Sequence, residues 1–486
     1  MSKPIVYSIS DFRQGMTPDI YKDGVARIEH ADNRTGQMRA FPTMSLSTSV
    51  AYGSDIEDNK LSAFTSSGTT IYALGFDSSA SHPAIFKWNA APNNYWEGHA
   101  TFGAGATAEG VLLYKGALYG LYNSTNVYKV TLGGAVTVAH AALTYTNYAH
   151  PIVHSKDNLA YFFTDNIVSS FDATTVTTAL TLPTNFRITA ACEDGDYIFI
   201  VGFDTDGKAT GYLWDRDSSL ATLTAKYDLG YDIPYHCGRI GANTFVISAA
   251  ADSVNSPITD TRALTIRARN GDRADIISEY QMTTLILSYQ GRYVNNNRMY
   301  FSAHVKMKND TSAKNVIFRL DHDGRLTMAL NMGVNAASND NEASGIFREG
   351  DGWWIGGRTT GSWNGVGTFT TTGSFETSVI RSEDKTSNLD FQYAIVECES
   401  LSSVGQIVIK GRVDLTAAFT TLATYTTSGE TKFHLIGMKA KNLLAGLDRA
   451  KHCQIRLEAV NTGAGSSPVV ITGFQAVFNP VPSLGT

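Results

Sequence analysis

The chain has 486 residues, of which 43% are hydrophobic and 17% are charged, and its formal net charge is −6. That length can build the cores of two or three domains, and the scattered acidic charge excludes the basic groove that nucleic-acid binding requires. No apolar run approaches the ~20 residues that span a bilayer, and the N-terminus lacks a signal-peptide core. We therefore expect a soluble protein made in a cytoplasm, with no membrane span and no nucleic-acid specificity.

The first segment, residues 1–45, is polar and has a weak strand signal. Its apolar residues alternate only near the start, at Ile5, Tyr7 and Ile9. The segment is too polar to form a core and too regular to be a free tail. We expect an extended N-terminal arm, partly strand, that lies on the rest of the protein or on a partner.

A four-strand unit recurs after this arm, and its clearest copy is Glu109–Ala139. Four short apolar runs there are separated by turn sequences such as Lys115-Gly116 and Gly133-Gly134. Strands this short cannot bury an apolar face alone, so the units must stack against one another. This pattern predicts a β-propeller over residues 46–382.

The second strand of each unit carries the strongest signal and recurs about every 40–55 residues, as in propeller blades. These runs are Ile71–Leu74, Leu118–Leu121, Leu159–Phe163, Tyr197–Val201, Thr244–Ser248, Met299–Ser302 and Trp353–Gly356. Third strands follow, the last at Gly367–Thr370. We expect seven blades in a closed ring, with six or eight as alternatives. Because a free edge invites aggregation, Ser45–Tyr52 is expected to complete the last blade.

From residue 388 to residue 486 the apolar runs are longer and alternate cleanly. They predict an antiparallel β-sandwich, joined to the propeller by the linker Arg381–Ser387. The expected strands are Asp390–Glu397, Gln406–Arg412, Phe419–Tyr425, Lys432–Met438, Cys453–Val460 and Val469–Phe478. Leu443–Ala450 is expected to be a short helix or a loop.

Four cysteines, Cys192, Cys237, Cys398 and Cys453, are scattered without the spacing of a zinc site. Cys398 and Cys453 both fall in sandwich strands and could be neighbours. Because the chain carries no export signal, we expect reduced thiols.

The sequence offers little catalytic chemistry. Two Asp-rich turns, Asp204–Gly207 and Asp321–Gly324, resemble the opening of a calcium loop but lack its further ligands, and hairpin turns explain both. His150 and His154 lie four residues apart without a third ligand and fit hairpin edges. The sequence contains no nucleophile elbow, zinc-protease motif or phosphate loop. We therefore expect no cofactor, no metal and no enzymatic activity.

The stretch Trp353–Trp363 is the best candidate for a ligand-binding surface, because two of its three tryptophans flank glycine-rich loops. Trp354 and Trp363 could stack against a sugar ring. Burial in a core or a blade interface is the competing interpretation, since large apolar side chains are usually buried.

Short motifs at both ends of the chain point to a family. The arm contains D-F-R-x-G-M at Asp11–Met16 and R-x-F-P at Arg39–Pro42. The sandwich contains I-R-L-E at Ile455–Glu458 and P-V-V-I-x-G-F at Pro468–Phe474. With a propeller of short blades between them, this order of modules resembles tailed-bacteriophage virion proteins, especially the tail nozzle or hub proteins of short-tailed phages and tail-tip proteins. The resemblance implies a ring-forming structural component of the virion tail without an active site, assembled with copies of itself and other tail proteins.

Three functions follow from these observations. The first is a multimeric structural protein of a bacteriophage tail, made in the host bacterial cytoplasm. The second is a carbohydrate-binding propeller that recognises a host-surface glycan, with Trp354 and Trp363 as its aromatic residues. The third is a glycan-cleaving enzyme, which needs two carboxylates ~5–9.5 Å apart at the mouth of the propeller. Asp204 and Asp321 are the candidate carboxylates, although both lie in turns.

Overall fold

The computed structural model of the chain is almost entirely β-structure, with one short helix among the residues it describes. Those residues are 4–10, 16, 25–29, 31–32, 37–40, 45–47, 60–77, 82–89, 95–217, 225–249, 262–295, 298–307, 310, 312–333, 343–349, 352–357, 362–365, 372–382, 387–462 and 468–482. A ring of four-stranded blades is joined to a two-sheet sandwich, which confirms the predicted all-β fold class.

Five short strands precede the ring: β1 (Ile5–Ile9), β2 (Val25–Glu29), β3 (Ala31–Asp32), β4 (Met38–Ala40) and β5 (Ser45–Ser47). The first four blades follow in chain order. Their strands are β6 (Lys60–Ser67), β7 (Thr70–Asp77), β8 (His82–Asn89), β9 (Tyr95–Thr101), β10 (Ala108–Tyr114), β11 (Ala117–Tyr122), β12 (Asn126–Thr131), β13 (Val136–Ala142), β14 (Tyr148–His154), β15 (Leu159–Thr164), β16 (Ile167–Phe171), β17 (Val176–Thr181), β18 (Phe186–Asp194), β19 (Tyr197–Asp204), β20 (Ala209–Trp214) and β21 (Ala225–Gly230).

Three further blades bring the number within the described residues to seven. Their strands are β22 (Ile233–Ile240), β23 (Asn243–Ala249), β24 (Arg262–Asn270), β25 (Arg273–Asn295), β26 (Arg298–Met307), β27 (Lys314–Asp321), β28 (Leu326–Gly333), β29 (Ala343–Glu349), β30 (Gly352–Gly357) and β31 (Ser362–Gly365). Blades 5 and 6 share the long strand β25, which pairs with β24 through its first half and with β26 through its second half. All seven predicted second strands are confirmed, since each predicted run lies within a strand.

The blades are held together by apolar contacts between their faces. All six residues of β11 are buried, because neighbouring blades cover both sides of this strand. Across one boundary the ring of Tyr119 packs edge-on against Phe171 of the next blade, with ring centroids 5.0 Å apart. Fully burying one such side chain contributes roughly 1.5–3 kcal/mol, so the stacking of units supplies the core that a single blade lacks.

The ring closes through the N-terminal segment. Strand β5 pairs antiparallel with β31, so Ser45–Ser47 is the outer strand of blade 7. This pairing confirms the expected closure for the described part of Ser45–Tyr52. The predicted third strand at Gly367–Thr370 lies outside the described residues, and β31 occupies that position in the blade.

The sandwich is built from β32 (Thr372–Thr377), β33 (Ile380–Arg381), β34 (Ser387–Cys398), β35 (Gly405–Arg412), β36 (Thr420–Tyr425), β37 (Lys432–Ile436), α1 (Gly437–Leu443), β38 (His452–Asn461) and β39 (Val470–Pro482). One sheet has the order β3-β4-β39-β34-β37, and the other contains β2-β32-β38-β35-β36. Strands β32 and β33 both pair with β38, so the sandwich includes residues that were expected to lie in the propeller.

The expected end of one sandwich strand also differs. Lys432–Met438 was predicted as strand, but β37 ends at Ile436 and the helix begins at Gly437, before the predicted Leu443–Ala450. A Cβ at Gly437 would lie 2.4 Å from the Gln392 carbonyl oxygen. The chain therefore turns at a glycine because the neighbouring strand β34 approaches closely there.

The N-terminal segment lies on this chain itself wherever it is described. Strand β1 pairs antiparallel with β39, and β2 lies between β28 of blade 6 and β32 of the sandwich. Together with β5 in blade 7, these strands connect both modules. The alternation of Ile5, Tyr7 and Ile9 is explained by packing of their side chains against the sandwich core.

All four cysteines are buried free thiols. Cys398 and Cys453 belong to the same sandwich core. Cys192 and Cys237 lie on inner strands of adjacent blades, and the hydrogen bond between their thiols, together with burial, raises the pKa of Cys192 well above its usual value. Among the described residues, no helix has the length and apolarity to cross a membrane.

Candidate functional site

Each of the seven inner strands contains a bulge at the same point in its pairing with the second strand. The bulged residues are Ser62, Gly110–Val111, His150–Pro151, Thr189, Tyr235, Ser288–Gly291 and Ser344–Gly345. A bulge interrupts the alternation of side chains along a strand and redirects them. The seven bulges therefore form a ring around the propeller axis, where polar side chains can leave the blade faces.

A cavity of about 400 Å³ is here named the Glu109 cavity. Its inner-strand residues either form the bulges or precede them in the chain. It is formed by blades 1, 2, 6 and 7. Its polar and aromatic lining includes Ser62, Phe76, Glu109, Ser288, Gln290 and Ser344. The volume is that of a small-ligand pocket.

Some of these polar groups are already engaged. The Ser344 hydroxyl donates to the Leu61 carbonyl at 2.7 Å, and the Ser62 hydroxyl donates more weakly to the Leu74 carbonyl at 3.4 Å. Within the described part of the chain, no hydrogen bond engages the side chains of Glu109, Ser288 and Gln290. These three side chains are half-buried and line the cavity, so their polar atoms are available to a ligand.

Burial raises the pKa of the Glu109 carboxyl. Tyr145 and Tyr148 are its electrostatic neighbours. Burial first and the Glu109 charge second raise the pKa of Tyr145 to about 12, and the same two causes raise the pKa of Tyr148. Both phenols therefore keep their protons at physiological pH, and Glu109 gains a proton more readily than an exposed carboxyl.

Two histidines and an arginine lie close together at the bulges. Burial, followed by the positive charge of Arg292, lowers the pKa of His150 to about 3. The same causes, with a smaller effect of His150, lower the pKa of His236 to about 3. The Arg292 Nη1 donates to the carbonyl oxygens of Ala191, at 2.8 Å, and Cys237. The guanidinium therefore joins the inner strands of blades 4 and 5 beside two neutral imidazoles.

A second cavity, here named the Arg292 cavity, lies beyond the bulges and has a volume of about 540 Å³. It is formed by blades 3 to 6. Its lining includes Cys192, Glu193, Arg239, Arg292 and Val294. Because these residues follow the bulges along the inner strands, whereas those of the Glu109 cavity precede or form them, the two cavities occupy opposite ends of the channel.

The predicted aromatic site is not at either cavity. Trp354 is 7% exposed and packs edge-on against Trp88, with ring centroids 6.0 Å apart, in a cluster that joins blades 7 and 1. Trp354 is therefore buried in a blade interface, as the competing interpretation predicted. The backbone of Trp363 belongs to β31, and its side chain lies outside the described residues.

The Asp-rich turns are hairpins of blades 4 and 6. Asp204 Oδ1 accepts hydrogen bonds from the backbone amides of Asp206 and Lys208, at 3.0 and 2.9 Å. Asp321 accepts from Arg298 and Arg319, each at 2.9 Å. The fold places these two aspartates in different blades, away from the residues that line either cavity, so it does not bring them together as a catalytic pair.

The prediction that His150 and His154 are hairpin-edge residues is confirmed for His154, which ends β14 at the hairpin turn, and is wrong for His150. His150 is part of a bulge, and His154 is fully buried, with its ring nitrogens 3.7 Å from Asp157 and 4.0 Å from Glu193. His150 lies inside β14, where a bulge at His150–Pro151 and not a hairpin turn interrupts the strand pairing.

Sequence reasoning also missed Glu109, Ser288, Gln290 and Arg292. A signal for some of the bulges does exist, because several second strands carry a glycine opposite them. Cβ atoms at Gly120, Gly202 and Gly356 would lie 2.3, 2.0 and 1.6 Å from inner-strand carbonyl oxygens. Glycine inside a strand marks such a close approach, so it also marks the neighbouring bulge.

No family model matches the chain, and no curated protein matches its sequence. Solved structures are similar in fold. The computationally designed Ika8 protein is 11% identical with a TM-score of 0.41, covering 66% of this chain and 99% of its own. An exo-β-1,3-galactanase from Phanerochaete chrysosporium with galactose is 10% identical with a TM-score of 0.34, covering 89% and 100%. YjhT is 14% identical with a TM-score of 0.38, covering 56% and 97%.

At these identities the likeness concerns the fold alone. One expectation from the sequence is corrected, that the chain is not an enzyme. It relied on missing motifs and on the resemblance to tail proteins, and an all-β fold of this kind does not by itself exclude catalysis.

Proposed function

We propose that the protein binds a neutral glycan in the Glu109 cavity. The observation that carries this proposal is the convergence of Glu109, Ser288 and Gln290, whose side chains have no hydrogen bond within the described part of the chain. Beside them the ring of Phe76 is partly exposed to the same cavity. Sugars are recognised by such a combination, in which polar groups bind hydroxyls and an aromatic face covers the C–H surface.

The charge of the cavity favours a neutral ligand. Glu109 is the one charged residue among the described residues that line it, and an ionised carboxylate there would repel an acidic sugar. Its raised pKa allows the carboxyl to act as acceptor or, when protonated, as donor to a hydroxyl. Ser288 and Gln290 supply both donors and acceptors without charge.

A glycan array of neutral and acidic sugars tests the proposal, followed by calorimetry with the best neutral ligand. We expect Gln290→Ala and Phe76→Ala each to weaken binding by about tenfold, since one hydrogen bond or one stacking contact contributes roughly 1–1.5 kcal/mol. Gln281→Ala is the matched control, because Gln281 lies exposed on the same strand and contacts Glu279. An array without binding, or two variants that bind as tightly as the wild type, would refute the proposal.

Glycan cleavage is a second candidate, favoured by one observation. The raised pKa of Glu109 suits a general acid that must hold its proton near neutral pH. Cleavage by a carboxylate pair needs a second acid ~5–9.5 Å away, and the described residues that line this cavity provide Glu109 alone. Reducing-end release from any glycan that binds, lost in Glu109→Gln, would extend the proposal from binding to hydrolysis.

We also propose a place for the protein in a bacteriophage tail, as the resemblance of the module order implies. The sandwich supports this role with a row of apolar residues on the outer face of one sheet. Val6, Tyr393 and Ile436 are 51, 40 and 68% exposed, and they lie in one line across β1, β39, β34 and β37, with Val477 of β39 between Val6 and Tyr393. An exposed apolar row of this kind suits contact with a second copy.

The test is the molar mass in solution. We expect an oligomer for the wild type and a smaller particle for Ile436→Asp. A wild-type monomer at high concentration would contradict the tail proposal and leave the glycan site unaffected.

A further inference from the structure

Arg292 is a cation without an anionic partner among the residues that the structure describes. Its two hydrogen bonds go to neutral backbone carbonyls, and both use the same nitrogen, Nη1. By contrast Arg216, Arg269 and Arg298 each contact an aspartate. A half-buried charge without a counter-charge is costly, because the surrounding protein solvates it less well than water does.

The neighbours of Arg292 do not provide that counter-charge. His150 and His236 face it as neutral imidazoles, since their pKa values lie far below neutrality. His236 is 1% exposed, and its Nε2 has no hydrogen-bond partner among the residues that the structure describes. Around Arg292 the described residues therefore place one positive charge beside two neutral imidazoles.

The other charged residues of the Arg292 cavity are engaged elsewhere. Glu193 accepts hydrogen bonds from the backbone amide and the hydroxyl of Ser155. Arg239 lies 3.6 Å from Asp194, which also pairs with Arg269. The three charged lining residues, Glu193, Arg239 and Arg292, sum to one positive charge. The cavity is thus net cationic, and the cation without a partner is the one at its inner end.

We propose that the Arg292 cavity binds the carboxylate of a small organic acid, such as an acidic sugar. A guanidinium presents a planar fork of N–H donors that matches the two oxygens of a carboxylate, and Nε and Nη2 of Arg292 remain to form it. The cavity of about 540 Å³ has room for the rest of a sugar-sized acid. This site lies at the opposite end of the channel from the Glu109 cavity and does not depend on the neutral-glycan proposal.

Calorimetry on the full chain tests the proposal with three probes: glucuronate, glucose and inorganic phosphate. We expect glucuronate to bind, glucose to bind at least tenfold more weakly at this site, and phosphate to bind more weakly than glucuronate. No heat with glucuronate would overturn the proposal, and so would glucose that binds as tightly as glucuronate in a way that Arg292→Gln abolishes. Tighter binding of phosphate would overturn the choice of a carboxylate.

Substitutions locate the site. Arg292→Gln should abolish glucuronate binding, and Arg292→Lys should weaken it about tenfold because a lysine lacks the planar fork. Arg325→Gln, at an exposed arginine that pairs with Asp323, is the matched control and should bind as the wild type does. Glu109→Gln should also leave glucuronate binding unchanged, so the proposals for the two cavities can be refuted separately. Glucuronate binding that survives in Arg292→Gln would place the anion elsewhere. If Arg292→Gln fails to fold, the lysine variant and the comparison of glucuronate with glucose on the wild type still test whether the cavity binds a carboxylate.

Discussion

The two ends of the propeller channel differ in charge although the same kind of strand lines both. The Glu109 cavity combines one carboxyl of raised pKa with uncharged hydroxyl and amide groups. The Arg292 cavity carries a net positive charge, and the guanidinium at its inner end has no anionic partner in the described part of the chain. Gln290 and Arg292 are only two residues apart on β25, yet they line different cavities.

The bulges explain this separation. In β25 four residues, Ser288–Gly291, stand opposite one residue of β26, so the side chains on the two sides of the bulge point in different directions. A ring of such bulges divides one channel into two sites. One repeated unit can therefore form two kinds of site, because the residues before the bulge line one cavity and those after it line the other.

Loss of the ring should remove both cavities together and is the largest effect we expect. A Cβ at Gly356 would lie 1.6 Å from the Leu61 carbonyl oxygen of blade 1. Since both groups are backbone-anchored, Gly356→Val should lower the free energy of unfolding by more than about 4 kcal/mol. Urea denaturation measures this, with Gly133→Ala as control, because its nearest contact is an ordinary 3.8 Å. A valine variant as stable as the wild type would contradict the close packing of blades 7 and 1.

The pH dependence of the free energy of unfolding should show that the two histidines beside Arg292 are neutral in the fold. Both His150 and His236 have a pKa of about 3 in the fold and about 6.5 when unfolded, so the unfolded chain binds more protons below pH 6.5. Stability is therefore lost as pH falls from 6.5 towards 3, by up to about 1.4 kcal/mol per pH unit for each histidine.

Replacing one of the two histidines should reduce that loss. We expect His236→Gln to lower the slope of unfolding free energy between pH 6 and 4.5 by about 1.4 kcal/mol per unit. The exposed His434→Asn is the control and should keep the wild-type slope. An unchanged slope in His236→Gln would mean that this imidazole is protonated in the fold.

Hydrogen bonds between blades should matter similarly at two boundaries of the ring. The Thr189 hydroxyl donates to the Pro234 carbonyl between blades 4 and 5, and Ser344 donates to Leu61 between blades 7 and 1. Thr189→Val and Ser344→Ala each leave a buried carbonyl unsatisfied, so each should cost about 1–2 kcal/mol in thermal or urea unfolding. Ser170→Ala, which removes a long exposed contact within one blade, should cost less than about 0.5 kcal/mol. Equal effects in all three variants would argue against a special role of the inter-blade bonds.

The smallest expected effect concerns Glu109. Because burial raises its pKa, the folded state binds the proton more readily than the unfolded state, and stability falls as pH rises through the folded pKa. Glu109→Gln should therefore raise the unfolding midpoint at pH 8, and the gain should vanish below pH 4.5, where both states are protonated. The exposed Glu97→Gln should show no such pH dependence. A midpoint at pH 8 that stays unchanged or falls would place Glu109 in a solvated setting.

Much of the fold was predictable because it depends on local patterns. The runs at Leu118–Leu121 and Tyr197–Val201 are short, apolar and bounded by turn residues, and a strand with both faces covered has this signature. The closure by Ser45–Ser47 followed from the need to cover a free edge. The strands at Thr372–Thr377 and Ile380–Arg381 could not be assigned to the sandwich, because pairing with β38 is a contact between distant parts of the chain.

The candidate sites were less predictable. Trp354 had the residue type of a sugar platform, yet its neighbours in blades 7 and 1 bury it. Arg292 has no motif around it. It matters because no acid lies near it in the described structure, and the spacing of residues along the sequence cannot show which residues surround a side chain. Glu109 is the first residue of the clearest repeat, but the sequence contains no pattern that singles it out as a site residue.

The sequence by itself determined the strands, the turns and the need for repeated units to cover one another, because strand length and apolar pattern act within a few residues. Only the tertiary structure decided which side chains meet on the propeller axis, because each blade contributes only a few residues there and the bulges redirect them. The pKa values of Glu109, His150 and His236 depend on that assembly, since burial and the charge of Arg292 come from other blades or from the packed ring.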